Sequence, residues 1–288
     1  MTTTKRVTPP LAMALGNLLL IMNLTAPAQV TQKPRYTMHA TVTHQSHTAV
    51  VVATDPRPLM QATEAVAGEY GILIDYEDPP YQSSYDRVDN TDPTWRTAHP
   101  GAPGVTRIAG AQFTCAFPEI VDPMNSAQRE DALTTILSEY SSSGNPGRFK
   151  LATTGTNRLA FIGVGVRDDG GQMMTSAPIL DTPVTLVGNE HDLWSALSAV
   201  MNQVTQESGS KVVPGDVPVG FLATTSSQLS ASGQPARAVI LQILNASRRK
   251  LIYGLLYDPD VKTYFLNIIP ASRIVTGLDG ERRYYPLD

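Results

Sequence analysis

Two short clusters in the sequence carry residue types that bind metal ions or attack carbonyl groups in other proteins. His44 and His47, with His39 nearby, bring imidazoles close together, but a zinc site needs three or four ligands and no acidic residue is close in sequence. The segment from Ser208 to Lys211 fits the S-x-x-K pattern, in which the nucleophilic serine lies at the start of a helix. Ser208 falls where a helix is predicted to end, and no K-T-G triplet follows. We therefore expect neither a metal centre nor an acyl-transfer site.

Acidic residues form two further groups that could do chemistry. Asp86, Asp89 and Asp92 recur at every third position, without the alternating spacing and central glycine of a calcium-binding EF-hand loop. Glu77 and Asp78 end a predicted strand next to proline, where acids commonly initiate turns. The sequence also has no G-x-S-x-G, H-E-x-x-H or C-x-x-C motif. The expectation is a protein without catalytic residues, metal or cofactor.

The N-terminus has the layout of a secretory signal peptide. Lys5 and Arg6 precede an apolar run over residues 11–24, and an A-x-A sequence ends at Ala28. Cleavage is predicted between Ala28 and Gln29, so the protein is expected in the periplasm or outside the cell. The alternative is an uncleaved membrane anchor, but the apolar run is shorter than the roughly 20 residues that span a bilayer. Membrane contact is therefore expected only through the signal peptide, before cleavage.

Charge and cysteine content narrow the function classes. Cleavage would remove two basic residues and no acid, which moves the formal charge from −4 to −6. A mildly acidic chain with scattered basic residues lacks the electrostatic footprint of a nucleic-acid-binding protein. Cys115 is the only cysteine, so no internal disulfide can form. It alternates with apolar neighbours and is predicted to lie in the core.

Hydrophobic periodicity predicts the same unit twice along the chain. Residues 50–54 read as a strand, residues 59–70 as a helix that ends at Gly71, and residues 72–76 as a returning strand. Residues 179–218 repeat this order with a longer helix, which is predicted to end at Gly209. Each unit is followed by a strand, a helix and a hairpin, predicted over residues 111–117, 126–140 and 149–166 in the first half and over residues 217–222, 235–247 and 251–269 in the second.

The repeated unit has a leucine-containing first helix, a glycine before the second strand and a closing hairpin such as KLIYGLLYDPDVKTYFLNI. It resembles the secretin and TonB short N-terminal domain, in two divergent copies over residues 49–166 and 179–270. In that family a secretin pore or an outer-membrane receptor barrel follows, and this sequence departs from that setting; it looks more like a stand-alone exported bacterial protein. The resemblance implies a small docking module of the periplasm without catalytic residues.

The predicted fold class is α+β, with two tandem β-α-β-β-α-β-β modules that each pack a small mixed sheet with two helices. The predicted boundaries are a signal peptide over residues 1–28, an N-terminal arm over 29–48, a first module over 49–168, a linker over 169–176, a second module over 177–270 and a C-terminal tail over 271–288.

A long proline-rich segment, residues 77–110, interrupts the first module. It carries Tyr81, Tyr85 and Trp95. Loops of this length inside a compact domain are usually functional or disordered, and aromatic residues on a stiff loop suit peptide or glycan binding. The alternative is a plain insertion whose aromatic residues pack onto its own domain.

The closing hairpin is a second candidate partner-binding element. Tyr253, Tyr257 and Tyr264 are predicted to flank a strand edge that accepts an extended segment of an envelope protein or peptide. The alternative is that these tyrosines pack against their own helix. Together these observations predict a non-enzymatic docking protein of the cell envelope. The alternative is a hydrolase or a glycan- or peptide-binding protein that acts on envelope polymers, with its site near residues 77–110.

Overall fold

A computed structural model of the chain describes residues 40–54, 56–188, 191–226, 228–277 and 282–287, which belong to one compact unit. The predicted signal peptide and the predicted cleavage between Ala28 and Gln29 lie outside the described residues. The helices are α1 (Pro58–Tyr70), α2 (Pro93–Ala98), α3 (Ser126–Ser142), α4 (Leu193–Ser208), α5 (Val219–Ala223) and α6 (Ala236–Ala246).

Strands make up most of the remaining regular structure, and the α+β class is confirmed. They are β1 (Ala40–Gln45), β2 (Thr48–Ala53), β3 (Leu73–Glu77), β4 (Arg87–Asp89), β5 (Thr106–Ile108), β6 (Phe113–Pro118), β7 (Arg148–Gly155), β8 (Arg158–Arg167), β9 (Met173–Thr175), β10 (Pro183–Val187), β11 (Lys211–Pro214), β12 (Ser230–Pro235), β13 (Leu251–Asp258), β14 (Thr263–Pro270), β15 (Ser272–Thr276) and β16 (Arg282–Pro286).

One mixed sheet of seven strands runs through the molecule. Its order is β11-β14-β13-β3-β8-β7, and β9 also pairs with β8. β3 runs parallel to both β8 and β13, and β11 runs parallel to β14, whereas β7 with β8 and β13 with β14 form antiparallel hairpins. Smaller sheets join β1, β2 and β6, β10 with β12, β4 with β5, and β15 with β16.

The two halves of the chain contribute elements in similar order and with similar pairing. β2 pairs antiparallel with β6 in the first half, as β10 does with β12 in the second. The halves meet where β3 pairs with β13, and their buried apolar side chains form one cluster. Two separate tandem modules are therefore not confirmed, because the main sheet and the core continue across the predicted boundary.

Local signals place the helix ends as predicted. Pro58 occupies the first turn of α1, and Gly71 ends that helix in the left-handed region at φ 63°. Asp192 caps α4 by accepting the backbone N–H of Ser195, and Gly209 ends it at φ 70°. Glycine suits both ends because it has no Cβ to clash at positive φ.

Four predicted segments differ from the structure. The part of the 29–48 arm that the structure describes contains β1, which pairs with β2. Residues 173–175 of the predicted linker form β9, and the C-terminal tail contains the β15–β16 hairpin. The strand predicted over residues 217–222 is wrong, because Val219–Ala223 form the short helix α5 and the strand that pairs with β10 comes later, at β12.

Candidate functional site

The insertion at residues 77–110 is anchored to β8 by a buried carboxylate. Asp86 is 0% exposed and accepts the backbone N–H of Arg167 at 2.9 Å and a guanidinium N–H of the same residue at 3.0 Å. Ser83 donates its hydroxyl to the Asp168 carbonyl at 2.7 Å. The returning chain is tied to the same place, because the N–H of Ala109 donates to the Asp86 carbonyl at 2.8 Å. Both ends of the insertion therefore meet at Asp86.

The outer part of the insertion is ordered by its own polar contacts. Asp92 caps α2 by accepting the backbone N–H groups of Thr94 and Trp95, at 2.8 and 3.0 Å. The hydrogen bond from Trp95, followed by the one from Thr94, lowers the pKa of Asp92. Arg96 donates to Asp89 at 2.5 Å and so ties α2 to the end of β4. These local contacts hold the segment in shape without a large apolar core of its own.

This ordered scaffold presents apolar side chains to solvent. Trp95 is 40% exposed, and its ring stacks on His99 with the centroids 4.8 Å apart. Val88 and Val105 are 39% and 57% exposed. Val88 pairs with Arg107 in the β4–β5 ribbon, and Val105 directly precedes β5 and accepts the backbone N–H of Asn90, so both valines lie on this ribbon. We call Val88, Trp95 and Val105 the outer surface of the insertion.

The tip of the β13–β14 hairpin supports the insertion from the second half of the chain. Thr106 donates its N–H and its hydroxyl to the Asp260 carboxylate, at 2.9 and 2.5 Å. Val261, next to this contact, is 60% exposed. The two exposed valines Val105 and Val261 therefore flank one hydrogen-bonded pair, and the outer surface borders the hairpin tip.

The predicted partner-binding residues separate into two groups. Tyr85 and Trp95 are exposed, as a contact surface requires. The others are buried in the core; they are Tyr81, Tyr253, Tyr257 and Tyr264. Tyr257 and Tyr264 contact each other with ring centroids 4.9 Å apart. Partner binding through these four side chains is not supported, because their area is already covered by the protein.

Strand addition at the closing hairpin is also wrong for a topological reason. β13 lies between β14 and β3, and β14 lies between β13 and β11. The backbone groups of an added segment would have to displace an existing strand. The strands of this sheet that have a single partner strand are β11, β7 and β9.

Side chains join the two halves of the chain where β3 meets β13. Asp75 is fully buried and accepts two hydrogen bonds from Arg158, at 2.7 and 2.8 Å, and the backbone N–H of Tyr253 at 2.9 Å. Arg158 also donates to the carbonyl of Leu251. Burial raises the pKa of Asp75 to about 6, although the guanidinium of Arg158 opposes the shift.

Asp78 and Glu77 continue this junction. Asp78 accepts from Arg57 at 2.7 Å and from the backbone N–H of Tyr257 at 2.9 Å. Glu77 accepts from Arg237 at 2.5 and 2.8 Å and from the Tyr253 hydroxyl at 2.6 Å. The sequence suggests that these two acids initiate a turn, whereas in the structure both are buried and bonded to arginines. Asp75, Glu77, Asp78 and their arginine partners form what we call the buried junction, in which each carboxylate already has a cation.

Three other sequence candidates have structural roles, and His39 lies outside the described residues. His44 bonds both neighbouring carboxylates, with Nδ1 3.0 Å from Glu119 and Nε2 3.2 Å from Glu69. Among the described residues no group of three or more potential ligands could hold a metal ion. Ser208 lies in the last turn of α4 and donates to the Val204 carbonyl at 2.6 Å. Cys115 is buried, and burial raises the pKa of its thiol to about 11.

Comparison of the chain with protein-family models, with curated proteins and with solved structures gives no match. Within the part of the chain that the structure describes, no helix is long and apolar enough to cross a membrane. The outer surface of the insertion is the candidate site, because its apolar side chains are accessible to a partner.

Proposed function

We propose that this is an exported, non-enzymatic docking protein that binds an envelope protein or peptide through the outer surface of the insertion. One observation carries the proposal. The insertion is held in shape by capping and ion-pair contacts while Val88, Trp95 and Val105 remain exposed. An ordered apolar surface loses little conformational entropy when a partner covers it, so more of the burial free energy contributes to binding.

Two further features support a contact role. Trp95 offers a large, stiff side chain, which is the residue type that dominates many interfaces. The insertion is anchored at Asp86 and at Asp260, one position in each half of the chain. A partner bound at the outer surface would therefore meet a site that is fixed to the main body at two points.

Two buried acids of the insertion favour docking over hydrolysis. Asp78 and Asp86 are buried, and each is bonded to an arginine. A general acid or base needs access to substrate. Carboxylates held by arginines inside the protein are poorly suited to that task, whereas they suit the positioning of a loop.

Site-specific photo-crosslinking in the native host tests the contact surface. We expect a crosslinker introduced at Trp95 or Val105 to give a discrete covalent adduct with one partner. The matched control is Val187, which is 69% exposed at the end of β10. Adducts of equal yield from all three positions, or from none, would contradict the proposed surface.

Export is tested separately. The mature protein should begin at Gln29, because the A-x-A sequence follows a basic segment and an apolar run. Mass spectrometry of the N-terminus in envelope and culture fractions checks this. Protein that retains Met1 would contradict the cleaved signal peptide. That result would not bear on the contact surface, which the crosslinking experiment tests.

A further inference from the structure

A groove lies between the start of α3 and the turn that joins β7 to β8. Its volume is about 370 Å³, within the range of small-ligand sites. Ser126, Arg129, Thr156 and Asn157 line it, together with apolar Met124. The groove is distinct from the outer surface of the insertion, since none of its lining residues belongs to residues 77–110.

Arg129 in this groove is a buried cation without a carboxylate partner. The residue is 4% exposed. It donates to the Pro123 carbonyl at 2.7 Å and to the side-chain oxygen of Asn157 at 3.1 Å, and both acceptors are neutral. Its Nε has no hydrogen-bond partner, and no carboxylate among the described residues lies within 4.0 Å of the guanidinium.

A buried guanidinium without a carboxylate partner is unusual. Removal of a guanidinium from water is costly unless an anion or a full set of hydrogen bonds compensates it. The arginines of the buried junction meet that requirement, because Arg57, Arg158 and Arg237 each hold a carboxylate. Arg129 differs from them in having no carboxylate partner among the described residues, and the groove that it lines leaves room for an anion to come from outside.

The start of α3 adds to the attraction for an anion. Asn125 already caps the backbone N–H groups of Ala127 and Gln128, so these donors are occupied. The positive end of the helix dipole remains and favours negative charge within the first turn. Arg129 lies in that turn, so its guanidinium and the positive end of the helix dipole both favour an anion at the same place.

We propose that this groove binds the carboxylate of a monoanionic organic acid, either a small free acid or the C-terminus of a peptide. Glu130 also lines the groove and would repel a doubly charged phosphate more strongly than a single carboxylate. Met124 and Leu159 can contact the apolar body of an organic acid, which an inorganic anion lacks.

An internal counter-ion provides a sharp test. Asn157→Asp changes one neutral acceptor of Arg129 into a carboxylate with almost no change in shape. Asn157 has φ 63°, a backbone conformation that aspartate tolerates as well. Asn90→Asp, in the exposed part of the insertion, is the matched control with the same change in net charge.

The measurement is a titration of the purified mature protein, in which the NMR signals of the Thr156 and Asn157 amides report binding. The probes are propionate, N-acetyl-trialanine, its C-terminal amide and inorganic phosphate. We expect saturable shifts with the two carboxylate probes. Their affinity should fall about tenfold or more in the N157D variant, because an internal carboxylate competes for Arg129, and it should not fall in N90D. Tighter binding of the peptide acid than of propionate would indicate a chain terminus, and the reverse a small acid.

Several outcomes would overturn the proposal. These are equal binding to the N157D variant and the wild type, equal binding of the peptide acid and its amide, binding of phosphate without binding of carboxylates, and the absence of saturable shifts in the wild type. A higher thermal midpoint for N157D than for N90D would show that the substitution leaves the protein folded and compensates Arg129.

Discussion

Arg158 and Asp75 form a buried ion pair in which one guanidinium nitrogen lies 2.7 and 2.8 Å from the two carboxylate oxygens. The same side chains also bond the backbone of β13, since Asp75 accepts from Tyr253 and Arg158 donates to Leu251. Only Tyr76 and Glu77 of β3 are in register with β13. The ion pair therefore supplies contacts that a longer strand ladder would otherwise provide.

Loss of the Arg158 guanidinium should be strongly destabilising at pH 7.5. Arg158→Met leaves Asp75 buried without its cation, so that the carboxylate must either stay unpaired or take up a proton, and we expect a loss of about 3–5 kcal/mol in the free energy of unfolding. Urea denaturation measures this. Arg148→Met, which removes an exposed arginine bonded to Thr175, should cost much less. Similar losses in the two variants would mean that Asp75 does not depend on Arg158.

The pKa of Asp75 predicts a specific dependence of stability on pH. Its folded-state pKa of about 6 is above the ordinary value of 3.8, so the folded protein binds a proton more tightly at this site. The stabilisation from this proton is fully present below about pH 3.8 and is lost as the pH rises through about 6, with a slope of at most about 1.4 kcal/mol per pH unit.

Urea denaturation of the wild type and of Asp75→Asn between pH 4 and 7.5 checks this dependence. The slope contributed by this site should disappear in the variant. Parallel pH profiles for the two proteins would contradict a raised pKa at Asp75.

The anchor of the insertion can be loosened at Asp86. Asp86→Ala leaves the backbone N–H of Arg167 without its acceptor, at a cost of about 1–3 kcal/mol. Opening of the insertion should become more frequent, and hydrogen exchange at Ala109 and Arg167 should accelerate. Asp131→Ala, at an exposed position of α3, is the control and should leave these rates unchanged. Unchanged exchange in D86A would show that other contacts hold the insertion.

His44 should titrate above its ordinary value of 6.5. Its hydrogen bond to Glu119, and to a smaller extent the one to Glu69, raises its pKa, although partial burial opposes the shift. The contribution of this cluster to stability is therefore present below about pH 6.5 and is lost as the pH rises through the raised pKa. NMR titration of the imidazole should show a larger fall in pKa for Glu119→Gln than for Glu69→Gln. The opposite order would contradict the assignment of Glu119 as the dominant partner.

A fragment of residues 177–288 should lose fixed packing. The tandem interpretation of the sequence predicts that it unfolds cooperatively, but in the full chain β13 lies against β3 and Tyr253 bonds Glu77. The fragment would expose the β3-facing edge of β13 and leave Arg237 without Glu77. We expect a weak near-UV circular dichroism signal. A sharp thermal transition with native near-UV dichroism would support independent modules.

Elements whose signals are local could be predicted from the sequence. The helices α1 and α4 end at Gly71 and Gly209 as expected, because a glycine cap acts within one turn of the helix. The closing hairpin is also where the alternation of residues places it. The strand predicted over residues 217–222 failed because a short apolar run fits a helical turn as well as a strand.

Of the candidate site, the sequence by itself determined that residues 77–110 form an insertion with aromatic residues, since proline content and composition are local properties. Only the tertiary structure decided which aromatic residues remain exposed. Trp95 lies outside the core, whereas Tyr81 and Tyr253 lie within it. The same holds for Asp75, whose bond to Tyr253 spans 178 positions of the chain. Periodicity acts over a few residues, whereas burial and ion pairing depend on which distant strands meet, and that is settled by the packing of the whole sheet.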